Sequence, residues 1–136
     1  MRPILLDTNT YAAFKRGDAH ILELLQVANE IAITPIVIGE LLAGFNSGTR
    51  PIQNKKELQE FLENPRIKIH PITADTAIFF GHIHYLLRCK GKPIPTNDMW
   101  IAAQALENGC FLCTYDKHFE TIDGLTIVKT AAELMY

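Results

Sequence analysis

The chain has 136 residues, 48% of them hydrophobic, which is one domain with enough apolar material for a core that needs no disulfide or structural metal. A net charge of −2 excludes a global electrostatic pull toward nucleic acid, so any such attraction has to be local. The opening MRPILLDTN meets Asp7 too early for a signal peptide, no run approaches the ~18 apolar residues of a membrane span, and three cysteines make no disulfide framework. A cytoplasmic protein with reduced thiols and no membrane association is expected.

Short apolar runs alternate with helical patterns along the chain. Pro3 to Leu6 is a continuous apolar run, as in a parallel strand covered on both faces. Asp18 to Glu30 has helical periodicity, Ile31 to Thr34 reads as a strand, and Pro35 suits the first position of a helix reaching about Phe45. Gly, Ser, Thr and Pro make Asn46 to Gln53 a loop before a helix from about Asn54 to Glu63. IKIHPI, Ile67 to Ile72, alternates like a strand, and Thr73 opens a long helix to Cys89 that KGKPIP breaks. Thr96 or Asn97 then caps a helix carrying Trp100, Ile101, Gln104 and Ala105 at helical spacing, with Gly109 at its left-handed end. A strand from Cys110 to Thr114, a loop through His118, a strand from Leu125 to Val128 and a last helical turn complete the chain. Cys110 and Cys113 are three apart on a strand, so they point to opposite faces and belong to the core rather than to a metal. This rhythm predicts one α/β domain over residues 1–136, with about five strands in a central parallel sheet covered on both faces.

In such sheets, sites form beyond the carboxyl ends of the strands. Asp7 directly follows the first strand, and Asp116 lies two residues beyond the fourth. Glu40 is on the helix leaving the second strand, and Asp98 opens the helix entering the fourth, which starts on the same side of the sheet. Each has an ordinary structural use. Asp7 can cap a helix, Glu40 can mark the solvent face of PIVIGELLAGF, Asp98 can offset a helix dipole by ~0.3–1 kcal/mol, and Asp116 can sit in a turn. Those uses do not explain why acids without a basic partner collect at one rim. Gathered carboxylates raise one another's pKa unless a cation sits among them, and an oxygen-only set suits Mg²⁺ or Mn²⁺. Such ions activate water and stabilise the leaving oxygen of a phosphodiester, so metal-dependent phosphodiester hydrolysis fits the constellation.

The segments LLDTNTYAAF, ITPIVIGELLAGF, IPTNDMWIAAQALENGCFLCTYDKHF and IDGLTIV follow one another in an order that resembles the PIN domain, and specifically the VapC toxin ribonucleases of prokaryotic toxin–antitoxin pairs. The resemblance covers essentially the whole chain and implies a three-layer α/β/α fold with an acidic Mg²⁺ or Mn²⁺ site. On that basis Asp7, Glu40, Asp98 and Asp116 match the acidic positions that hold metal and perform catalysis. Thr8, Asn9, Asn97 and Thr114 match polar positions that orient those acids. The resemblance further implies an RNA substrate, a cognate antitoxin and a homodimer; it does not specify which RNA is cut.

Setting the four acids aside from the net −2 leaves +2 on the remainder. Candidate RNA contacts are Arg88, Lys90 and Lys92 before the Asp98 segment, Arg50 in the Gly/Ser loop, and Lys117 with His118 beside Asp116. His118 has no evident metal partner in the sequence; His82 and His84, two apart on a helix, do not share a face. Two other readings stand beside the nuclease. A haloacid-dehalogenase-type phosphatase would use Asp7 but wants a second Asp where Asn9 stands, and a non-catalytic PIN-like module would bind without cutting.

Overall fold

The computed structural model describes residues 2–135. Five parallel strands, β1 (Ile4–Leu6), β2 (Ile31–Ile33), β3 (Ile67–Ile69), β4 (Phe111–Cys113) and β5 (Ile127–Val128), form one sheet in the order β3-β2-β1-β4-β5. The central strand pairs on both sides, Leu5 with Ala32 of β2 and with Leu112 of β4. Every residue of β1 and β2 is buried, which is why these runs carry no polar alternation.

Helices α1 (Thr8–Lys15) and α2 (Ala19–Val27) link β1 to β2, and α3 (Pro35–Asn46) and α4 (Pro51–Leu62) link β2 to β3. Helices α5 (Ala74–Lys90) and α6 (Thr96–Glu107) pack on each other and carry the chain back past β1 to β4. That reversal sends their right-handed crossover to the opposite face, giving three layers, and makes the carboxyl ends of β1 and β4 the topological switch point. A 3₁₀ segment, Lys117–Thr121, follows β4, and α7 (Ala131–Met135) packs against α2. No helix among the described residues is long and apolar enough to cross a membrane.

Several boundaries differ from the sequence reading, each for a local reason. Helix α1 has only eight residues and opens on TNT, so its helical signal is weak. It is fixed instead by Asp7, whose carboxylate accepts from the Thr8 backbone N–H at 2.8 Å, and by burial of Thr10, Tyr11 and Ala13. Helix α4 begins at Pro51, three residues before the expected start, because proline presets the first helical turn rather than breaking it. Strand β3 stops at Ile69 and β5 holds only two residues. Thr96 and Asn97 lie inside α6 and do not cap it; Pro95 holds the cap position with no side-chain hydrogen bond, which leaves that end's backbone donors open. Gly109 does take the left-handed conformation, with φ 65°.

Cys110 and Cys113 are buried free thiols, as core residues should be. Gln104, wholly buried on α6, donates from Nε2 to the His70 carbonyl at 2.7 Å and so ties α6 to the end of β3. At the switch point, the buried Thr10 hydroxyl lies 2.9 Å from the Asp7 carbonyl and 2.8 Å from that of Cys113. The ends of β1 and β4 are thereby clamped where the chain turns into its acidic rim.

Candidate metal centre

Asp7 is the innermost acid, 4% exposed at the end of β1. One carboxylate oxygen accepts from the Thr8 N–H, and the other accepts from the Thr114 hydroxyl at 2.7 Å. Thr114, the buried residue after β4, has spent its proton on Asp7, and its oxygen in turn accepts from the Asp116 N–H at 3.0 Å and from the Asn9 amide at 3.4 Å. Asn9 also accepts from the Tyr115 N–H at 3.2 Å. These bonds aim the β4 loop at Asp7. Thr8 reaches the other way, its hydroxyl donating to Glu40 Oε1 on α3 at 2.7 Å.

Asp98 occupies the first turn of α6, where the helix dipole favours an anion. It is not merely a dipole partner: His118 Nδ1 stands 3.2 Å from Asp98 Oδ2 and also 3.2 Å from Asp116 Oδ1. The four expected acids are therefore brought to one rim, joined by Thr8, Thr114 and His118. Asn97 stands exposed on the first turn of α6, and among the described residues its side chain makes no hydrogen bond to these acids.

Electrostatics register the crowding. Burial pushes the Asp7 carboxyl up to about 6, against the lowering effect of Thr114 and Thr8, and the charges of Asp98 and Glu40 add to the rise. Burial also raises Asp98, with Asp116 and Glu40 repelling its charge and His118 opposing the rise. A set of carboxylates held at such a cost, with oxygen donors converging from β1, α3, α6 and the β4 loop, fits a hard divalent cation. One subset, Asp98, Asp116 and His118, offers three ligand atoms within 4.8 Å of one another.

The basic candidates do not gather as the sequence implied. Lys90 turns away to Asp123 Oδ1 at 2.7 Å and the Thr121 carbonyl at 2.9 Å. Arg88, two residues away and so on another side of α5, lines a groove of about 370 Å³ with His84 and Met99. Lys92 and Lys117 are exposed. Arg50 lines a second groove of about 340 Å³ together with Lys15 and Arg16, two cations that the sequence reading missed because α1 was not recognised; Lys15 is paired there with Glu57 at 2.8 Å.

The raised Asp7 pKa makes a stability prediction. The folded state holds this proton more tightly than the unfolded chain, whose carboxyl has the ordinary value of 3.8, so the stabilisation is complete below pH 3.8 and is lost as pH rises through about 6. The loss is on the order of 2–3 kcal/mol. In chelator, Asp7→Asn should be more stable than wild type at neutral pH, and the difference should vanish toward pH 4. Urea unfolding across that range checks this, and parallel pH profiles for the two proteins would contradict it.

The PIN domain family model matches residues 4–125, which includes all four acids. Ribonuclease VapC2 of Rickettsia felis is 35% identical over 128 residues, covering 90% of this chain and 94% of that protein. Among solved structures, VapBC2 from Rickettsia felis bound to a promoter DNA fragment superposes with a TM-score of 0.81 at 31% identity, over 93% of this chain and 97% of that one. DNA-bound VapBC from Salmonella typhimurium gives 0.84 at 28% identity, over 94% and 98%. The strand order, the acids at the switch point and the extent of these matches agree: the chain belongs to the PIN domain family and groups with its VapC ribonucleases.

Proposed function

We propose that the protein is a divalent-metal-dependent endoribonuclease, the toxin of a toxin–antitoxin pair acting in the cytoplasm. The observation that carries this reading is the convergence of Asp7, Glu40, Asp98 and Asp116 at the β1/β4 switch point, with burial raising the pKa of Asp7 to about 6 and that of Asp98 upward as well. Their oxygens suit Mg²⁺ or Mn²⁺. A bound ion there supplies a water activated at neutral pH and charge to stabilise the leaving oxygen. The chain's own part is positioning. Thr114 and the Thr8 N–H hold both oxygens of Asp7, the Thr8 hydroxyl fixes Glu40, and the open donors at the start of α6 stand ready for phosphate oxygens. Arg88 on one groove and Lys15, Arg16 and Arg50 on the other offer cations for the RNA backbone. An antitoxin segment carrying Arg or Lys to the acids would silence the site by replacing the metal as counter-charge.

The test is cleavage of RNA with Mn²⁺ or Mg²⁺. Asp98→Asn, which keeps the helix and the size of the side chain, should lower cleavage at least ~100-fold, a transition-state loss of about 3 kcal/mol. Full activity in that variant would overturn the site, and no cleavage by wild type with either metal would favour the non-catalytic binding module.

The homodimer belongs to the same proposal. Ile78 (71% exposed), Phe79, His82 and Tyr85 (64%) form an exposed stripe on α5. This helix is acidic in its first turn, at Asp75, and basic in its last, at Arg88. Two copies laid antiparallel along the stripe would cover the apolar side chains and set each acidic end beside a basic one, so a second copy of the chain is the occupant of this face. Light scattering should give twice the 15.3 kDa chain mass for wild type and the single mass for Ile78→Glu. A monomeric wild type, or a dimer that survives Ile78→Glu, would reject this interface.

A further inference from the structure

His118 is held between two carboxylates of the rim that come from different elements. Asp98 arrives on α6 and Asp116 on the β4 loop, yet Nδ1 of the ring lies 3.2 Å from an oxygen of each. Part of this placement is local, because the His118 backbone N–H donates to Asp116 Oδ1 at 2.9 Å. The contact with Asp98, 20 residues away in sequence, is not. A ring nitrogen carries at most one hydrogen, which would have to be shared in a three-centre bond to serve both oxygens, so equal approach to two carboxylates exceeds what one linear hydrogen bond needs. It does match a shared centre. Two ligand atoms ~2.1 Å from one ion stand about 3.0 Å apart at a right angle and about 3.4 Å apart at a tetrahedral angle.

We propose that His118 is a metal ligand, closing with Asp98 and Asp116 a mixed nitrogen–oxygen subsite that selects Mn²⁺ and later transition ions over Mg²⁺. The inference rests on the metal-dependent reading above and goes beyond it, since an imidazole nitrogen strengthens this preference over that of carboxylates alone. Imidazole adds little for Mg²⁺, which prefers oxygen and retains its waters, whereas affinity for a nitrogen-containing set climbs along the transition series. The exposed ring, 53% accessible at its side chain, leaves room for an ion to enter from solvent, and Asp98, at 14%, forms the floor. When a metal takes the Nδ1 lone pair, the ring proton resides on Nε2, the nitrogen away from this contact.

The test loads the purified full chain with Mn²⁺ alone and examines it by pulsed electron paramagnetic resonance, with calorimetric titration of Mn²⁺ and Mg²⁺ alongside. Wild type should show the nitrogen coupling of a directly bound imidazole. His118→Asn should lose that coupling and bind Mn²⁺ at least ~10-fold more weakly, with Mg²⁺ affinity changed much less. Mn²⁺ bound by wild type without nitrogen coupling would overturn the His118 assignment while leaving the acidic metal site standing. A wild type that binds no Mn²⁺ would overturn both. The nitrogen signal is read on wild type, so the result does not depend on how well the variant folds.

Discussion

The burial of one carboxylate at the end of the central strand organises the rest of the rim. Asp7 cannot reach water freely, so its oxygens are satisfied by the Thr8 N–H and the Thr114 hydroxyl. Each of those partners is committed further. Thr114 accepts from the Asp116 N–H and so shapes the β4 loop, while the Thr8 hydroxyl, on the residue that donates to Asp7, holds Glu40 on α3. A short chain of hydrogen bonds thus turns the position of Asp7 into the position of two other acids. The same burial raises the Asp7 pKa to about 6, which makes a metal-free rim a destabilised one at neutral pH. Precision and instability have one source here, and a bound metal ion would resolve the second while using the first.

The parallel sheet supplies the geometry at little cost in sequence. Because β1 is flanked by β2 and β4, with the chain reversing direction between them, residues 7, 40, 98 and 116 meet although they are far apart along the chain. Thr10 clamps the two central strands at that point. A fold of this size therefore needs only three-residue strands to bring its acids together, provided their ends are locked.

The central strands and Asp7 were legible in the sequence for the same reason: fully buried strands read as unbroken apolar runs, and an Asp immediately after such a run stands out. The bonds that link the acids were not legible. Thr8 and Glu40 are 32 residues apart, Asp7 and Thr114 are 107 apart, and threonine carries no signature of its donor role. The resemblance to the PIN family marked those threonines as orienting the acids without saying which acid each one holds. The approach of His118 to Asp98 was not legible either, because the two residues lie on different elements, 20 positions apart. The arrangement of the cations was not legible from local spacing. Arg88, Lys90 and Lys92 look like one patch in a string of letters, yet a helix turns successive alternate residues to different sides, and Lys90 is occupied with Asp123. Lys15 and Arg16 were lost with α1, whose polar TNT opening hid an eight-residue helix that tertiary burial supports.

The claim on which the account rests is that this rim is built for a cation and is incomplete without one. The most direct measurement is the unfolding free energy of wild type at neutral pH as Mn²⁺ is varied from chelated to saturating. Binding to the folded rim predicts a rise that reaches about 1.4 kcal/mol per tenfold increase in Mn²⁺ for one ion, and twice that for two. An unfolding free energy that does not change with Mn²⁺ would contradict the account.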